Sequence, residues 1–182
     1  MKHALVVGGT GMLSGVSLWL LEQGYHVSII ARNSDRMKDL IEQTDLDSHV
    51  TPLFVDYSNH DELQKKVHAT INKNGAIDIV VAWIHSTAPN ALNIIAKEVL
   101  ISKSEWELFH VLGSSSDLNK IKREVTMPTG CSYYQVQLGF VTEGSRSRWL
   151  TNKEISDGII EAIKKKKKIL TIGQIEPWDK HP

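Results

Sequence analysis

Short apolar runs alternate with amphipathic stretches along most of the chain. The runs are rich in Val, Ile and Leu and predict strands, while apolar residues spaced three or four apart in the intervening stretches predict helices. The predicted strands are residues 4–7, 26–31, 49–55, 77–83, 106–112, 133–141 and 169–172. This alternation predicts an α/β fold, a doubly wound parallel sheet (Rossmann-like) of about seven strands, in a single domain over residues 1–182.

Polar residues at the helix starts refine the pattern. Ser58 with Asp61, and Thr151 with Glu154, have the spacing of capping boxes. They predict helices that begin at these two places. Residues 142–150 carry no periodic pattern and are predicted to form a loop.

Composition excludes several classes of protein. Lys and Arg together number 21, as do Asp and Glu, so the formal net charge is zero and neither nucleic acid nor an anionic membrane is an expected partner. The single cysteine, Cys131, excludes an internal disulfide and favours a reducing compartment. The first apolar run is too short for a signal peptide. We therefore expect a soluble, cytoplasmic protein.

The strand at residues 4–7 leads into closely spaced glycines and then a helix. Gly8 and Gly9 permit a tight turn, and Gly11 allows the backbone to approach a pyrophosphate. The helix, predicted to begin near Met12, directs its N–H groups at that charge. The glycine that packs helix against strand in this motif is displaced by one place, to Gly15. This context favours a dinucleotide site over a purely structural turn.

The end of the second strand bears on the cofactor. Arg32 stands where an NAD site usually has a carboxylate, and the first acidic residue is Asp35. A guanidinium can bind a 2′-phosphate bidentately, so NADP is predicted and NAD is less favoured. The alternative is that Arg32 is only a solvated arginine. Asp56, after the third strand, is predicted to accept a hydrogen bond from the adenine amino group or to cap the next helix.

These segments together resemble the short-chain dehydrogenase/reductase superfamily. Residues 8–14 are similar to its glycine motif, residues 31–33 to its NADP-preferring strand end, and Asp56 to its adenine-side aspartate. Residues 113–116, Gly-Ser-Ser-Ser, resemble the place of its catalytic serine. The resemblance covers residues 1–116 well and the remainder loosely. It implies an oxidoreductase that transfers a hydride to or from a small carbonyl or alcohol substrate.

The chain departs from this family in its catalytic motif. The Tyr-x-x-x-Lys pair is absent, because Gln137 follows Tyr133 at that spacing and Leu138 follows Tyr134. The usual Asn-Ala-Gly after the fourth strand is replaced by residues 82–85, Ala-Trp-Ile-His. Ordinary tyrosine-dependent ketone reduction is therefore not supported. A non-catalytic dinucleotide-binding sensor or regulatory module is the alternative function.

Other residues near the carboxyl ends of the strands are candidates for the chemistry. Ser115 and His85 are the candidate catalytic residues, and imidazole titrates near neutrality. His85 is alternatively a loop histidine bonded to backbone. Arg146 and Arg148 are the candidate substrate-binding residues for a carboxylate or phosphate. They alternatively anchor their loop or pair across a subunit interface.

The remaining predictions concern the full cofactor set and the partners. The predicted cofactor-binding residues are Gly8, Gly9, Thr10, Gly11, Met12, Leu13, Arg32, Asn33, Ser34, Asp56, Tyr57, Ala82 and Trp83. The histidines and the lone cysteine form no spacing typical of metal ligands, so no metal is predicted. Besides a small-molecule substrate, a homodimer is expected, and the resemblance to the family implies that the helix at residues 89–102 lies in its interface.

Overall fold

A computed structural model, which describes residues 1–8 and 10–182, has a seven-stranded parallel sheet and a separate two-stranded hairpin. The strands are β1 (Lys2–Val7), β2 (Tyr25–Ala31), β3 (Val50–Phe54), β4 (Ile79–Ala82), β5 (Trp106–Leu112), β6 (Cys131–Leu138), β7 (Phe140–Glu143), β8 (Arg146–Trp149) and β9 (Ile169–Ile172). The helices are α1 (Ser14–Glu22), α2 (Ser34–Glu42), α3 (His60–Asn74), α4 (Ala91–Ser102), α5 (Leu118–Glu124) and α6 (Asn152–Lys165). The sheet order is β3-β2-β1-β4-β5-β6-β9, which confirms the predicted doubly wound α/β fold.

Helices cover both faces of the sheet, as its uninterrupted apolar strands require. Alternate residues of β1 enter opposite cores: Ala4 and Val6 pack with α1, α2 and α6, while Leu5 and Val7 pack with α3 and α4. Helix α5 has no buried residue. No helix in residues 1–8 and 10–182 is long and apolar enough to cross a membrane.

The strand order reverses at β1, which lies between β2 and β4. Crossovers leave this point in opposite directions, so a crevice opens beyond the carboxyl ends of the strands. Val7 is paired with Ile30 on one side and with Ala82 on the other. The glycine turn that follows Val7 therefore begins at the bottom of that crevice.

The prediction for residues 133–150 was partly wrong. Strand β6 ends at Leu138, and β7 and β8 form an antiparallel hairpin where a longer strand and a loop were expected. The reason is that Phe140 exchanges backbone hydrogen bonds with Gln174, at 2.9 and 2.8 Å, instead of continuing beside β5. A contact distant in sequence therefore draws the chain out of the sheet.

Two of the predicted helix starts also need correction. Helix α3 is capped by Asn59, whose side chain accepts the Glu62 N–H at 3.2 Å, and not by Ser58. Helix α1 begins at Ser14, after a turn, and not near Met12. At α6 the predicted capping box between Thr151 and Glu154 is confirmed.

Candidate functional site

A cavity of about 690 Å³ lies at the carboxyl ends of β1 to β4, around the glycine turn. Eight of the predicted cofactor residues line it: Gly8, Thr10, Gly11, Met12, Arg32, Asn33, Tyr57 and Trp83. Gly9 lies outside the described residues. The volume falls within the range usual for small-molecule and cofactor sites. We refer to it as the first cavity.

Gly8 shapes the floor of the first cavity. Its φ is +85°, and a Cβ at this position would lie 3.0 Å from the carbonyl oxygen of Trp83. Its N–H donates to the carbonyl oxygen of Ile30 at 3.2 Å. Residues other than glycine rarely adopt such a φ, and here the added atom would also press on the chain after β4. The turn thus brings bare backbone to the cavity.

Two arginines make one wall of the first cavity positive. Arg32 follows β2, and Arg36 lies in the first turn of α2. Asn33 caps that helix by accepting the Arg36 N–H at 3.0 Å. No carboxylate lines the cavity within residues 1–8 and 10–182. Sequence reasoning missed Arg36, and its signal was a second guanidinium one helical turn beyond Arg32.

Asp56 lies beside the first cavity without lining it. Its Oδ2 is 3.4 Å from Nη1 of Arg32, and its Oδ1 accepts the Ser58 N–H at 2.9 Å. The Ser58 N–H and the Arg32 guanidinium lower the pKa of this carboxyl. The ion pair is exposed to solvent and contributes little to stability. Arg32 is therefore held near the cavity yet is free to exchange its partner.

Three further predicted cofactor residues do not line the first cavity. The side chains of Leu13 and Ala82 are fully buried in opposite cores, so they cannot face a ligand. Ser34 is the first residue of α2 and also lies outside the lining. The prediction included these residues because they adjoin the motif in sequence, but the side chains of adjacent residues point in different directions.

Helix α6 contributes to the first cavity in a way that sequence reasoning missed. Asn152, its first residue, lines the cavity, and Ser156 Oγ donates to the carbonyl oxygen of Met12 at 2.8 Å. A Cβ on Gly15 would lie 2.8 Å from Cβ of Ser156. The displaced glycine therefore packs α1 against α6, and not against a strand as expected.

A second cavity of about 600 Å³ lies between the loop after β4, the end of β5 and helices α4 and α5. His85 and Ser115, the candidate catalytic residues, both line it. Trp83 lines this cavity as well as the first. Its Cβ faces the position of Gly8, while its Cη2 reaches to within 3.9 Å of where a Cβ on Gly113 would lie. The indole thus forms a wall common to both cavities.

The loop at residues 113–116, Gly-Ser-Ser-Ser, is stabilised by hydrogen bonds to its backbone. Nε2 of the buried Gln137 lies 3.2–3.3 Å from the carbonyl oxygens of Gly113, Ser114 and Ser116. The carbonyl of Ser115 is not part of this contact, and its side chain is exposed. The loop is fixed by its backbone, which leaves the Ser115 hydroxyl to the cavity.

The loop after β4 positions His85. Its backbone N–H donates to the Tyr57 hydroxyl at 2.9 Å, and its Nδ1 accepts the Thr87 N–H at 3.3 Å. These contacts agree with the alternative of a loop histidine bonded to backbone. They also leave Nε2 available to the cavity.

His110 is a residue of the second cavity that sequence reasoning did not identify. It lies in the middle of β5, is 8% exposed and lines the cavity. Its Nδ1 lies 2.6 Å from the hydroxyl oxygen of Tyr133 on β6. Burial lowers the pKa of His110 to about 4, so the ring is neutral at neutral pH. The only sequence signal was a histidine within an apolar strand.

The two candidate substrate-binding arginines lie on β8 and line neither cavity. Arg148 forms ion pairs with Glu143 and Glu154, each at 2.7 Å. These bonds raise the pKa of Arg148 and lower that of Glu154 to about 2. The arrangement matches the alternative in which Arg148 anchors its own segment. Arg146 is exposed on the same strand.

No cluster of three or more His, Cys, Asp or Glu side chains that could hold a metal occurs in the part of the chain that the structure describes. The two cavities described above are candidate ligand sites. The first offers backbone and guanidinium groups. The second offers hydroxyl and imidazole groups.

Comparison with known proteins adds to this picture. Residues 2–89 match the family model for short chain dehydrogenase. The glucose dehydrogenase of Caenorhabditis elegans is similar in structure, with a TM-score of 0.72 and 14% identity over 94% of this chain and 95% of that one. The alcohol dehydrogenase of Thermococcus sibiricus, complexed with 5-hydroxy-NADP, has a TM-score of 0.67 and 15% identity over 96% of each chain. A search of curated proteins finds no significant match.

Proposed function

We propose that the chain belongs to the short-chain dehydrogenase/reductase superfamily, whose family model matches residues 2–89, and that it is an NADP(H)-dependent oxidoreductase. In this proposal the first cavity binds the dinucleotide and the second binds a small carbonyl or alcohol substrate. The whole chain, residues 1–182, acts as one domain.

The observation that carries this proposal is the position of Trp83. It lines both cavities, so a ligand that fills the first ends next to a ligand in the second. Hydride transfer requires the reacting atoms of cofactor and substrate to lie close together in a fixed orientation. Two adjoining cavities of different chemistry provide such an arrangement.

The residues of the first cavity fit a dinucleotide with a 2′-phosphate. The turn at Gly8 and Gly11 would hold the pyrophosphate with backbone N–H groups at the start of α1. Arg32 and Arg36 would bind the 2′-phosphate, and no carboxylate among the described lining residues would repel it. Asp56 would accept from the adenine. The 5-hydroxy-NADP in the Thermococcus sibiricus enzyme supports the same cofactor class.

The bound nicotinamide would supply or accept the hydride. The chain itself supplies the groups that hold the substrate oxygen, and we assign Ser115 and His85 to this role because both line the second cavity. Gln137 fixes the loop of Ser115, and the Tyr57 hydroxyl fixes the backbone of His85. The substrate oxygen would thus meet donors that are already oriented.

Calorimetric titration with NADPH and NADH tests the cofactor. We expect Arg32→Ala to weaken NADPH binding by about 1.5–3 kcal/mol, the size of a hydrogen bond to a charged group, and to leave NADH binding nearly unchanged. Arg146→Ala is the matched control, since Arg146 lines neither cavity. Equal losses for both nucleotides would contradict the assignment of Arg32 to the 2′-phosphate.

The second candidate function is a non-catalytic NADPH sensor, which the missing Tyr-x-x-x-Lys motif favours. NADPH oxidation measured against aldehydes, ketones and quinones separates the two. Turnover that is lost in His85→Ala or Ser115→Ala would support an enzyme. Tight NADPH binding with no turnover would support the sensor.

The homodimer and the cytoplasmic location are further parts of the proposal. Leu100 and Ile101, near the end of α4, are 41% and 75% exposed, which supports an apolar contact at this helix. Sedimentation velocity of the wild-type chain and of Ile101→Glu tests it. We expect a dimer that the charged variant converts to a monomer.

A further inference from the structure

The lining of the second cavity is mainly apolar. Its apolar members are Trp83, Ile84, Ala88, Pro89, Leu92, Val111, Leu112, Ile121 and Val125. Glu124 is the one member with a formal charge among the residues that the structure describes, and it lies within 4.0 Å of Lys120 on the surface of α5. Among the described lining residues, the cavity therefore offers no cation to bind an anion.

His110 is the most deeply buried of the polar groups that line this cavity. It is 8% exposed, whereas Ser115 and His85 belong to exposed loops. One ring nitrogen, Nδ1, is bonded to the Tyr133 hydroxyl at 2.6 Å. The other, Nε2, makes no hydrogen bond to any residue described in the structure. It is therefore the ring atom available to a ligand.

The hydrogen-bond chain behind His110 determines which nitrogen carries the proton. Nε2 of Gln135 is 3.0 Å from the carbonyl oxygen of Leu118, which can only accept, so the Gln135 amide is a donor there. The same nitrogen lies 3.2 Å from the Tyr133 oxygen and donates to it as well. Nδ1 of His110 is the one hydrogen-bond acceptor that the described residues offer to the Tyr133 O–H, and we take this hydroxyl to donate to it. The proton of the neutral imidazole is consequently on Nε2.

We propose that the Nε2–H of His110 is a hydrogen-bond donor that the second cavity presents to the oxygen of a neutral, largely apolar carbonyl compound. Tyr133 is the positioning residue that holds the ring in this tautomer. Calling that compound the substrate rests on the proposed function, whereas the donor role and the tautomer stand on the geometry of His110 alone.

A neutral donor suits this ligand class. The Nε2–H faces the cavity, and a carbonyl oxygen there would accept a hydrogen bond from it. An anion would have to leave water for an apolar cavity that lacks a cation, which is far more costly. The cavity should therefore bind a ketone in preference to a carboxylate of the same shape.

Nitrogen NMR of the unmodified protein, without nucleotide, tests the tautomer directly. With imidazole-labelled histidine, long-range ¹H–¹⁵N spectra at neutral pH should show His110 with a protonated Nε2 and an unprotonated Nδ1. A proton on Nδ1 would overturn the proposal. In Tyr133→Phe we expect a mixture of the two tautomers, since the hydroxyl that selects one has been removed; an unchanged tautomer would refute the positioning role.

Titration with two probes of similar shape tests the ligand class. We expect 2-tetralone, a neutral ketone, to shift the Nε2–H resonance of His110, and 2-naphthoate to bind at least tenfold more weakly. Preference for the carboxylate, or a ketone that leaves Nε2 unaffected, would contradict the proposal. Because neither measurement uses NADPH, failure here is distinct from failure of the proposed cofactor site.

A matched pair of variants separates the two ring nitrogens. The amide nitrogen of Gln reaches the position of Nε2, and that of Asn the position of Nδ1. His110→Gln should therefore retain 2-tetralone binding within about threefold, while His110→Asn should lose at least tenfold. Equal binding by the two would argue against a donor at Nε2. Should either variant fail to fold, the spectra of the wild-type protein still decide the question.

Discussion

The two cavities meet at Trp83 but are built in opposite ways. The first is formed by segments close together in sequence, chiefly the turn after β1 and the turn after β2, and its cations are exposed. The second combines the ends of β4 and β5 with α5, and its most buried polar group is held by a tyrosine from β6. The first cavity presents exposed guanidinium groups, and the second presents neutral groups such as the buried imidazole of His110.

In the proposed function, this difference lets one fold bind two unlike ligands side by side. Exposed guanidinium groups attract phosphate from solution at a smaller desolvation cost than buried ones, and they can exchange partners, as Arg32 can with Asp56. A buried imidazole keeps its orientation and stays neutral because burial lowers the pKa of His110 to about 4. Charged and neutral recognition are thereby assigned to two adjoining cavities that share Trp83.

The largest effect is expected from removing the positive charge of the first cavity. Arg32→Ala combined with Arg36→Ala removes both guanidinium groups from the lining. We expect NADPH binding to fall by about 4 kcal/mol, roughly a thousandfold, because each group is worth about 2 kcal/mol against a phosphate. Calorimetry measures it. The response of the 2-tetralone probe at His110 should not change, and a parallel loss there would show that the two cavities are not independent.

The next effect concerns the neutrality of the second cavity. Between pH 6.5 and about 4 an unfolded chain binds a proton at His110 that the folded chain excludes, so the free energy of unfolding falls as the pH falls. Above pH 6.5 neither state binds this proton, so His110 no longer lowers the free energy of unfolding. Denaturant unfolding across this range should show a loss of about 3 kcal/mol from this residue.

Burial also lowers the pKa values of His3 and His26, so these residues contribute to the same pH dependence. The contribution of His110 is therefore obtained from the difference between the wild type and a variant that lacks this histidine. From pH 6.5 to about 4, the fall in the free energy of unfolding should be smaller by about 3 kcal/mol in His110→Gln than in the wild type. His60→Gln, at an exposed histidine that begins α3, serves as the control. Parallel curves for the wild type and His110→Gln would mean that His110 is not kept neutral by the fold.

The contrast between the cavities also explains what could be predicted from the sequence. The strand–glycine–helix order and Arg32 are local signals, so the fold and most of the first cavity followed from them. Arg36 was not predicted because it lies in the first turn of α2, beyond the strand end from which the cofactor residues were inferred. The side chains of Leu13 and Ala82 are buried away from the cavity, since neighbours in a motif do not share a direction.

The second cavity was much less predictable, because its key contacts join distant parts of the chain. His110 and Tyr133 become neighbours only through the parallel register of β5 and β6, in which Leu108 pairs with Tyr133. Their sequence positions carry no periodicity that would link them. The hairpin of β7 and β8 was missed for the same reason, as it depends on Gln174 bonding to Phe140.

A smaller effect tests the backbone of the first cavity. Gly8→Ala and Gly24→Ala both place a Cβ at a positive φ, of +85° and +91°, and each should destabilise the fold by about 1–2 kcal/mol. Only at Gly8 would the new atom meet a neighbour, the Trp83 carbonyl at 3.0 Å. NADPH affinity should therefore fall at least tenfold in Gly8→Ala alone. Similar affinities in the two variants would remove the turn from the site.

The smallest effect is expected from removing the guanidinium of Arg148, which tests whether an anion-binding group belongs to the second cavity. Arg148→Met keeps the aliphatic stem but removes the guanidinium that bonds Glu143 and Glu154, both at 2.7 Å. Because these pairs only join β8 to β7 and to α6, Tm should fall by less than about 4 °C, with the Kd for NADPH and the binding of 2-tetralone unchanged.

Arg146→Met is the matched control on the same strand, since within residues 1–8 and 10–182 the Arg146 side chain forms no ion pair, and we expect no change in Tm. Thermal unfolding and calorimetry measure both variants. If Arg148→Met instead weakened the binding of 2-naphthoate while Arg146→Met did not, Arg148 would be a ligand for anions. The separation of a charged first cavity from a neutral second one would then fail, because the second would have a cation within reach.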